Sequence, residues 1–124
     1  MHVLAVDDSR TVLHAIKVSL EHLGHTVTAC LTYADGLRAA GQTRFDVLVT
    51  DYIIGPLTGI QLSSMTGLPT ALITGSNLTV AEQQEINRFR SEGWPVLTKP
   101  FFRADLEKAI RDAIQQEKAT NAAY

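Results

Sequence analysis

Short runs of β-branched and aliphatic residues alternate five times with longer stretches whose apolar residues recur at helical spacing. This alternation predicts a parallel α/β sheet. The strand candidates are Val3 to Val6, Thr26 to Leu31, Val47 to Thr50, Thr70 to Thr74 and Val96 to Thr98. Most lack a clean in-out alternation, as expected of strands covered on both faces. Between them, Val12, Leu13, Ile16, Leu20 and Leu23 form a helical stripe that starts behind Ser9 as N-cap and stops at Gly24. Leu37 marks a second helix ending at Gly41. Ile60, Leu62 and Met65 mark a third, cut short by Gly67 and Pro69. Thr79 caps a fourth that carries Val80, Ile86 and Phe89. Phe102, Leu106, Ala109, Ile110, Ala113 and Ile114 give the last helix its apolar face, and the chain from Gln115 to Tyr124 is expected to fray.

At 124 residues, 45% of them hydrophobic, the chain has material for one core and one doubly wound layer structure. No internal repeat or linker divides it. In such sheets ligands bind beyond the carboxyl ends of the strands, near the point where strand order reverses. A net charge of -2 carries no basic surplus for gripping nucleic acid phosphates. Cys30 is the single cysteine, so neither an internal disulfide nor a multi-cysteine metal site is available. No apolar run approaches the roughly 20 residues that span a bilayer, and the start at Met1 shows no charged leader. A cytoplasmic location in a reducing compartment is the expectation.

Five polar residues fall at the same edge of the predicted sheet. Asp7 and Asp8 follow the first strand, Asp51 follows the third, Thr74 ends the fourth and Lys99 follows the fifth. Any one alone reads as a helix cap or a solvated strand end. Together they imply more, because three clustered carboxylates raise one another's pKa unless a cation offsets them. Mg²⁺ suits such a set, since it takes oxygen ligands and binds one or two carboxylates beside phosphate oxygens. Lys99 can offset charge on a phosphoryl oxygen and Thr74 can donate a hydrogen bond to it. Asp51 is then the natural nucleophile, a carboxylate able to form an acyl phosphate.

The residues Val-Asp-Asp-Ser at 6 to 9, Leu-Val-Thr-Asp-Tyr at 48 to 52, Leu-Ile-Thr-Gly at 72 to 75 and Leu-Thr-Lys-Pro-Phe at 97 to 101 resemble the receiver domain of bacterial response regulators. Gly59 stands where that family keeps a glycine after the phosphorylation loop. The resemblance runs from Val3 to about Ile114, with a receiver over residues 1–118 and a frayed tail over 119–124. It implies the flavodoxin-like strand order 2-1-3-4-5 and five helices, the third shortened. It also implies that Asp51 accepts a phosphoryl group from a sensor histidine kinase or a histidine phosphotransfer protein. Asp8 would then be a direct metal ligand, Asp7 a ligand through water, and the main-chain carbonyl of Ile53 a further ligand to Mg²⁺. Thr74 and Lys99 would contact the phosphoryl group, and the Lys99-Pro100 bond would be cis. Such a chain would switch the binding of an output partner rather than act as an enzyme on another molecule, catalysing at most its own phosphorylation and dephosphorylation.

Two departures stand out. The family often has a Tyr or Phe three positions before the lysine, whose rotation couples phosphorylation to output, and here that position is Val96. Trp94, between Gly93 and Pro95, is expected to cover a core edge rather than replace that ring. The segment from Asp51 to Thr74 is also compressed, with Ile53-Ile54-Gly55-Pro56 in the phosphorylation loop. An apolar Ile53 two residues after the acceptor would slow acyl phosphate hydrolysis by keeping water out. His2, His14, His22 and His25 lack metal-ligand spacing and read as surface or edge residues. His14, on the first helix, is placed where the family docks its phosphoryl donor.

Three rival readings share parts of this pattern. Haloacid-dehalogenase-type phosphatases share the strand-end Asp, Thr and Lys and the Mg²⁺, but need an acid-base Asp where Ile53 stands. A dinucleotide-binding module needs glycines where Asp7-Asp8-Ser9 stands. A degenerate receiver that only binds partners accounts for Val96 and the altered loop. Retention of all five chemical residues favours the phosphoacceptor. The residues suit a stand-alone protein and part of a larger regulator or hybrid kinase alike. A homodimer is equally open.

Overall fold

The computed structural model describes residues 1–122. Its elements in chain order are β1 (His2–Val6), α1 (Arg10–His22), β2 (Thr26–Cys30), α2 (Tyr33–Gln42), β3 (Val47–Asp51), β4 (Ile53–Ile54), β5 (Leu57–Thr58), α3 (Gly59–Thr66), β6 (Thr70–Thr74), α4 (Val80–Ser91), β7 (Val96–Thr98) and α5 (Arg103–Ala122). Five strands form a parallel sheet ordered β2-β1-β3-β6-β7, with Val3 level with Val27 on one side and Val47 on the other. Counting only these five, the order is the expected 2-1-3-4-5, and it reverses between β1 and β3. The carboxyl ends of those two strands present Asp7 and Asp51 to the same edge.

Successive residues of the central strands serve opposite faces, and both faces are apolar. Val3 and Ala5 pack with Leu13, Ile16 and Leu20 of α1 and with Leu106, Ile110 and Ala113 of α5. Leu4 and Val6 face the other way, toward Phe45, Ile54 and Leu62. A third cluster joins Tyr52 and Leu72 to Ile86 and Phe89 of α4. This two-sided burial explains the near-continuous hydrophobic strands. Ile110 is fully buried, so Ile110→Ala is expected to cost about 2–5 kcal/mol.

Local chemistry fixes the helix starts. The hydroxyl of Ser9 accepts from the Val12 N–H, holding the chain just after Asp7 and Asp8 in helix-entry geometry. Thr58 with Gln61 and Thr79 with Glu82 form reciprocal capping boxes for α3 and α4. Helix α3 stops after eight residues because Gly67 adopts φ 68° and Pro69 follows. The shortened third helix is thus present.

Several expectations change. Phe102 is 81% exposed and lies outside α5. Its N–H is taken by the Asp105 carboxylate at the helix start, and Phe101 packs against the core instead. Leu23, Met65 and Val80 are exposed because each sits at or beside a helix end, where the apolar stripe no longer faces the sheet. Helix α5 continues past Gln115 to Ala122. There the Gln116 amide donates to the Glu92 carbonyl and the Thr120 hydroxyl, tying this stretch to the end of α4. The rest of the expected tail, residues 123–124, lies outside the described residues. The sequence reading also lacked the antiparallel pair β4-β5, in which Ile53 opposes Thr58. Its two-residue turn uses Gly55 at φ 69° before Pro56, too short a signal to separate from a plain loop.

Candidate functional site

The sheet edge brings all five predicted polar residues together. Carboxylate oxygens of Asp7, Asp8 and Asp51 lie within 4.8 Å of one another. Lys99 Nζ stands 3.4 Å from Asp7 Oδ2 and 3.4 Å from Asp51 Oδ2. Thr74, Lys99, Asp51 and Ile53 line one cavity of about 360 Å³. Backbone pairing sets this arrangement: the Lys99 N–H donates to the Thr74 carbonyl at 2.9 Å, locking the ends of β6 and β7 together. The Lys99-Pro100 bond is cis.

The acidic groups differ in environment. Asp7 is fully buried; its Oδ1 accepts from the Ser9 N–H at 2.8 Å, while Oδ2 has no hydrogen-bond partner. Asp8 is exposed. Asp51 ends β3, its Oδ1 accepting from the Tyr52 N–H at 2.9 Å. Burial and the nearby Asp7 carboxylate push the Asp51 pKa above its ordinary value, against the opposing pull of Lys99 and the Tyr52 N–H. A buried oxygen that accepts no hydrogen bond, beside a carboxylate whose ionised form is disfavoured, is what a hard cation relieves. The donor set is all oxygen and fits a divalent ion of the Mg²⁺ kind. Thr74 is buried, its hydroxyl donating to the Gly75 carbonyl at 3.2 Å.

Gly59 is fixed by close approach rather than by backbone freedom. A Cβ there would collide with the main-chain oxygen of Asp51 and come within 2.9 Å of Thr50 Cγ2. The Gly59 N–H also donates to the Tyr52 carbonyl at 2.6 Å. Helix α3 therefore starts directly against the strand end that carries Asp51.

The family model for the response regulator receiver domain matches residues 3–111. This chain belongs to the receiver domain family. The receiver is 30% identical over 124 residues to the transcriptional regulatory protein GlrR of Escherichia coli, covering 93% of this chain and 26% of that one. It is 28% identical to protein PilH of Pseudomonas aeruginosa, covering 87% of this chain and 93% of that one. A receiver domain structure from Clostridium thermocellum superposes with a TM-score of 0.78 at 27% identity, covering 96% and 98% of the two chains. The receiver spans about a quarter of GlrR and about half of the KdpE regulator of Mycobacterium tuberculosis. Receiver domains are homologous modules of two-component response regulators, generally signalling modules rather than enzymes, and the acidic cluster of Asp7, Asp8 and Asp51 fits a phosphorylation site. No helix among the described residues is long and apolar enough to cross a membrane.

One residue of the site escaped the sequence reading. The Tyr52 ring is 3% exposed, and its hydroxyl donates to Glu85 Oε1 of α4 at 2.8 Å. Burial, together with the bond to Glu85 and its charge, pushes the phenol pKa far up and keeps it protonated. A tyrosine next to the acceptor reads from sequence as ordinary packing; only the fold reveals its partner. Trp94 stacks on Phe89 with centroids 6.1 Å apart, at the edge of the cluster that also holds Tyr52 and Val96.

Proposed function

We propose that this receiver takes a phosphoryl group onto Asp51 from a phosphohistidine of a sensor kinase or phosphotransfer protein, with Mg²⁺, and thereby switches binding to an output partner. The observation that carries the reading is Lys99 Nζ held 3.4 Å from both Asp51 Oδ2 and the buried Asp7 Oδ2, the latter an oxygen that accepts no hydrogen bond. In the transfer an Asp51 oxygen forms the new O–P bond as the P–N bond of the donor breaks. The electron pair leaves on the imidazole nitrogen. Lys99 offsets charge on the phosphoryl oxygens and Thr74 turns its hydroxyl toward them. Asp8, Asp51 and the Ile53 carbonyl are assigned as direct Mg²⁺ ligands, with Asp7 acting through water. Bound there, the ion would neutralise charge building on the transferring group.

Ile53, 45% exposed on the wall of the same cavity, is assigned the role of limiting water access to the acyl phosphate. The test is intact-mass analysis after incubation with acetyl phosphate and Mg²⁺, beside Asp51→Asn and a chelated control. The expected result is a labile gain of one phosphoryl group in the wild type with Mg²⁺ and in neither control. A protein that binds Mg²⁺ yet gains no phosphoryl group from acetyl phosphate or from a phosphohistidine donor would instead be a receiver that only binds partners.

A further inference from the structure

We propose that the cavity between α3 and α4 is a docking pocket for an arginine side chain of a partner protein. The cavity measures about 410 Å³ and opens where α3 ends early at Gly67. It is separate from the acceptor cavity, with which it shares no lining residue. Phe89 and Trp94 form its aromatic wall, their rings 18° from parallel.

The charge at this pocket is one-sided. Glu85, Glu92 and Glu117 line it against a single cation, Arg88. None of these four side chains is ion-paired within the described chain. Glu85 is also oriented, because Tyr52 holds its Oε1 while its other oxygen has no partner among the described residues. An apolar occupant would strip water from three carboxylates without replacing those hydrogen bonds. A phosphate or an acidic peptide would meet net negative charge. A guanidinium meets both features, since its planar face stacks on aromatic rings and its fork of N–H groups pairs with carboxylates. The inference does not depend on the chemistry at Asp51.

Trp94 is the single tryptophan and lines both this pocket and the neighbouring cavity bounded by Arg90 and Pro95, so its emission reports binding and the amide shifts assign the site. The full chain would be titrated with the peptide acetyl-Gly-Arg-Gly-amide and with its neutral citrulline counterpart, following Trp94 emission and, in parallel, amide NMR shifts of Ser63–Leu68 and Arg88–Trp94. The expected result is saturable binding of the arginine peptide at these residues, weakened roughly fivefold in the Glu92→Gln/Glu117→Gln double variant and by replacing arginine with citrulline. The double variant's fold is checked by circular dichroism. Equal response to citrulline, unchanged binding in the double variant, or shifts lying elsewhere would overturn the proposal. So would a dimer found by sedimentation whose formation itself shifts Trp94 emission.

Discussion

Tyr52 joins the acceptor to helix α4: its N–H donates to Asp51 at 2.9 Å and its hydroxyl donates to Glu85 at 2.8 Å. Val96 lies in the same apolar cluster as the Tyr52 ring. Where the family often has an aromatic side chain, this chain has a small one, and a buried tyrosine reaches α4 from the acceptor side. Tyr52→Phe keeps the ring and removes one half-buried hydrogen bond to a carboxylate. It is expected to lower stability by about 1–3 kcal/mol in urea denaturation. Faster amide exchange in the first turns of α4 should accompany that loss.

The buried acidic pair makes metal-free stability depend on pH. The folded pKa of Asp51 lies above its unfolded value, so folding favours the protonated form. The stability from that proton is fully present below the ordinary carboxylate range and is lost as pH rises through the raised folded pKa. Without metal, wild type should lose stability relative to Asp51→Asn as pH rises through this window. Added Mg²⁺ should close the gap. Urea titrations of both proteins at several pH values, with Mg²⁺ and with a chelator, measure it.

Asp7→Asn should behave as a removed burden. The carboxylate is fully buried, one oxygen lacks a hydrogen bond, and it raises the pKa of Asp51. Lys99 keeps Asp51 as its partner at 3.4 Å, so the amide variant is expected to be more stable than wild type without metal by about 1–2 kcal/mol, with weakened Mg²⁺ binding. Thermal melts with and without Mg²⁺ check both effects.

Gly59→Ala should be among the more damaging small substitutions. Its Cβ would meet main-chain oxygen and branched side chains rather than a flexible chain end. A loss of about 1–3 kcal/mol is expected, from overpacking. At Gly67 a Cβ meets nothing within 4 Å, and the cost of Gly67→Ala is the left-handed backbone alone, about 1 kcal/mol. Denaturation of the two variants side by side separates contact from conformation.

Ile53→Asn is expected to shorten the lifetime of the acyl phosphate, since a polar group replaces an apolar one on the cavity wall. Following loss of the phosphoryl group by intact mass after the donor is removed gives the rate directly. An unchanged rate would remove water exclusion from the role of Ile53.

Much of this architecture was legible in the residues. The five runs of Val, Ile, Leu and Thr set the strands, and Ser9, Thr79 and Gly67 marked helix ends because capping is local chemistry. The convergence of Asp7, Asp51, Thr74 and Lys99 followed from topology alone, since each lies at a strand's carboxyl end. Contacts between distant elements were not legible. Nothing in sequence spacing pairs Tyr52 with Glu85, or Gln116 with Glu92, because those partners are chosen by how α4 and α5 lie on the sheet. Phe102 was misplaced for the reverse reason: its apolar character suited the helix stripe, but α5 starts just after it at Arg103, where Asp105 of the first turn takes its N–H.

The most direct test of the central claim is to locate the phosphoryl group. After phosphorylation in Mg²⁺, borohydride reduces an aspartyl phosphate to homoserine, and peptide mass mapping then identifies the position. The account predicts homoserine at position 51 and at no other aspartate. Homoserine at Asp7 or Asp8, or none in a protein whose intact mass shows the adduct, would contradict it.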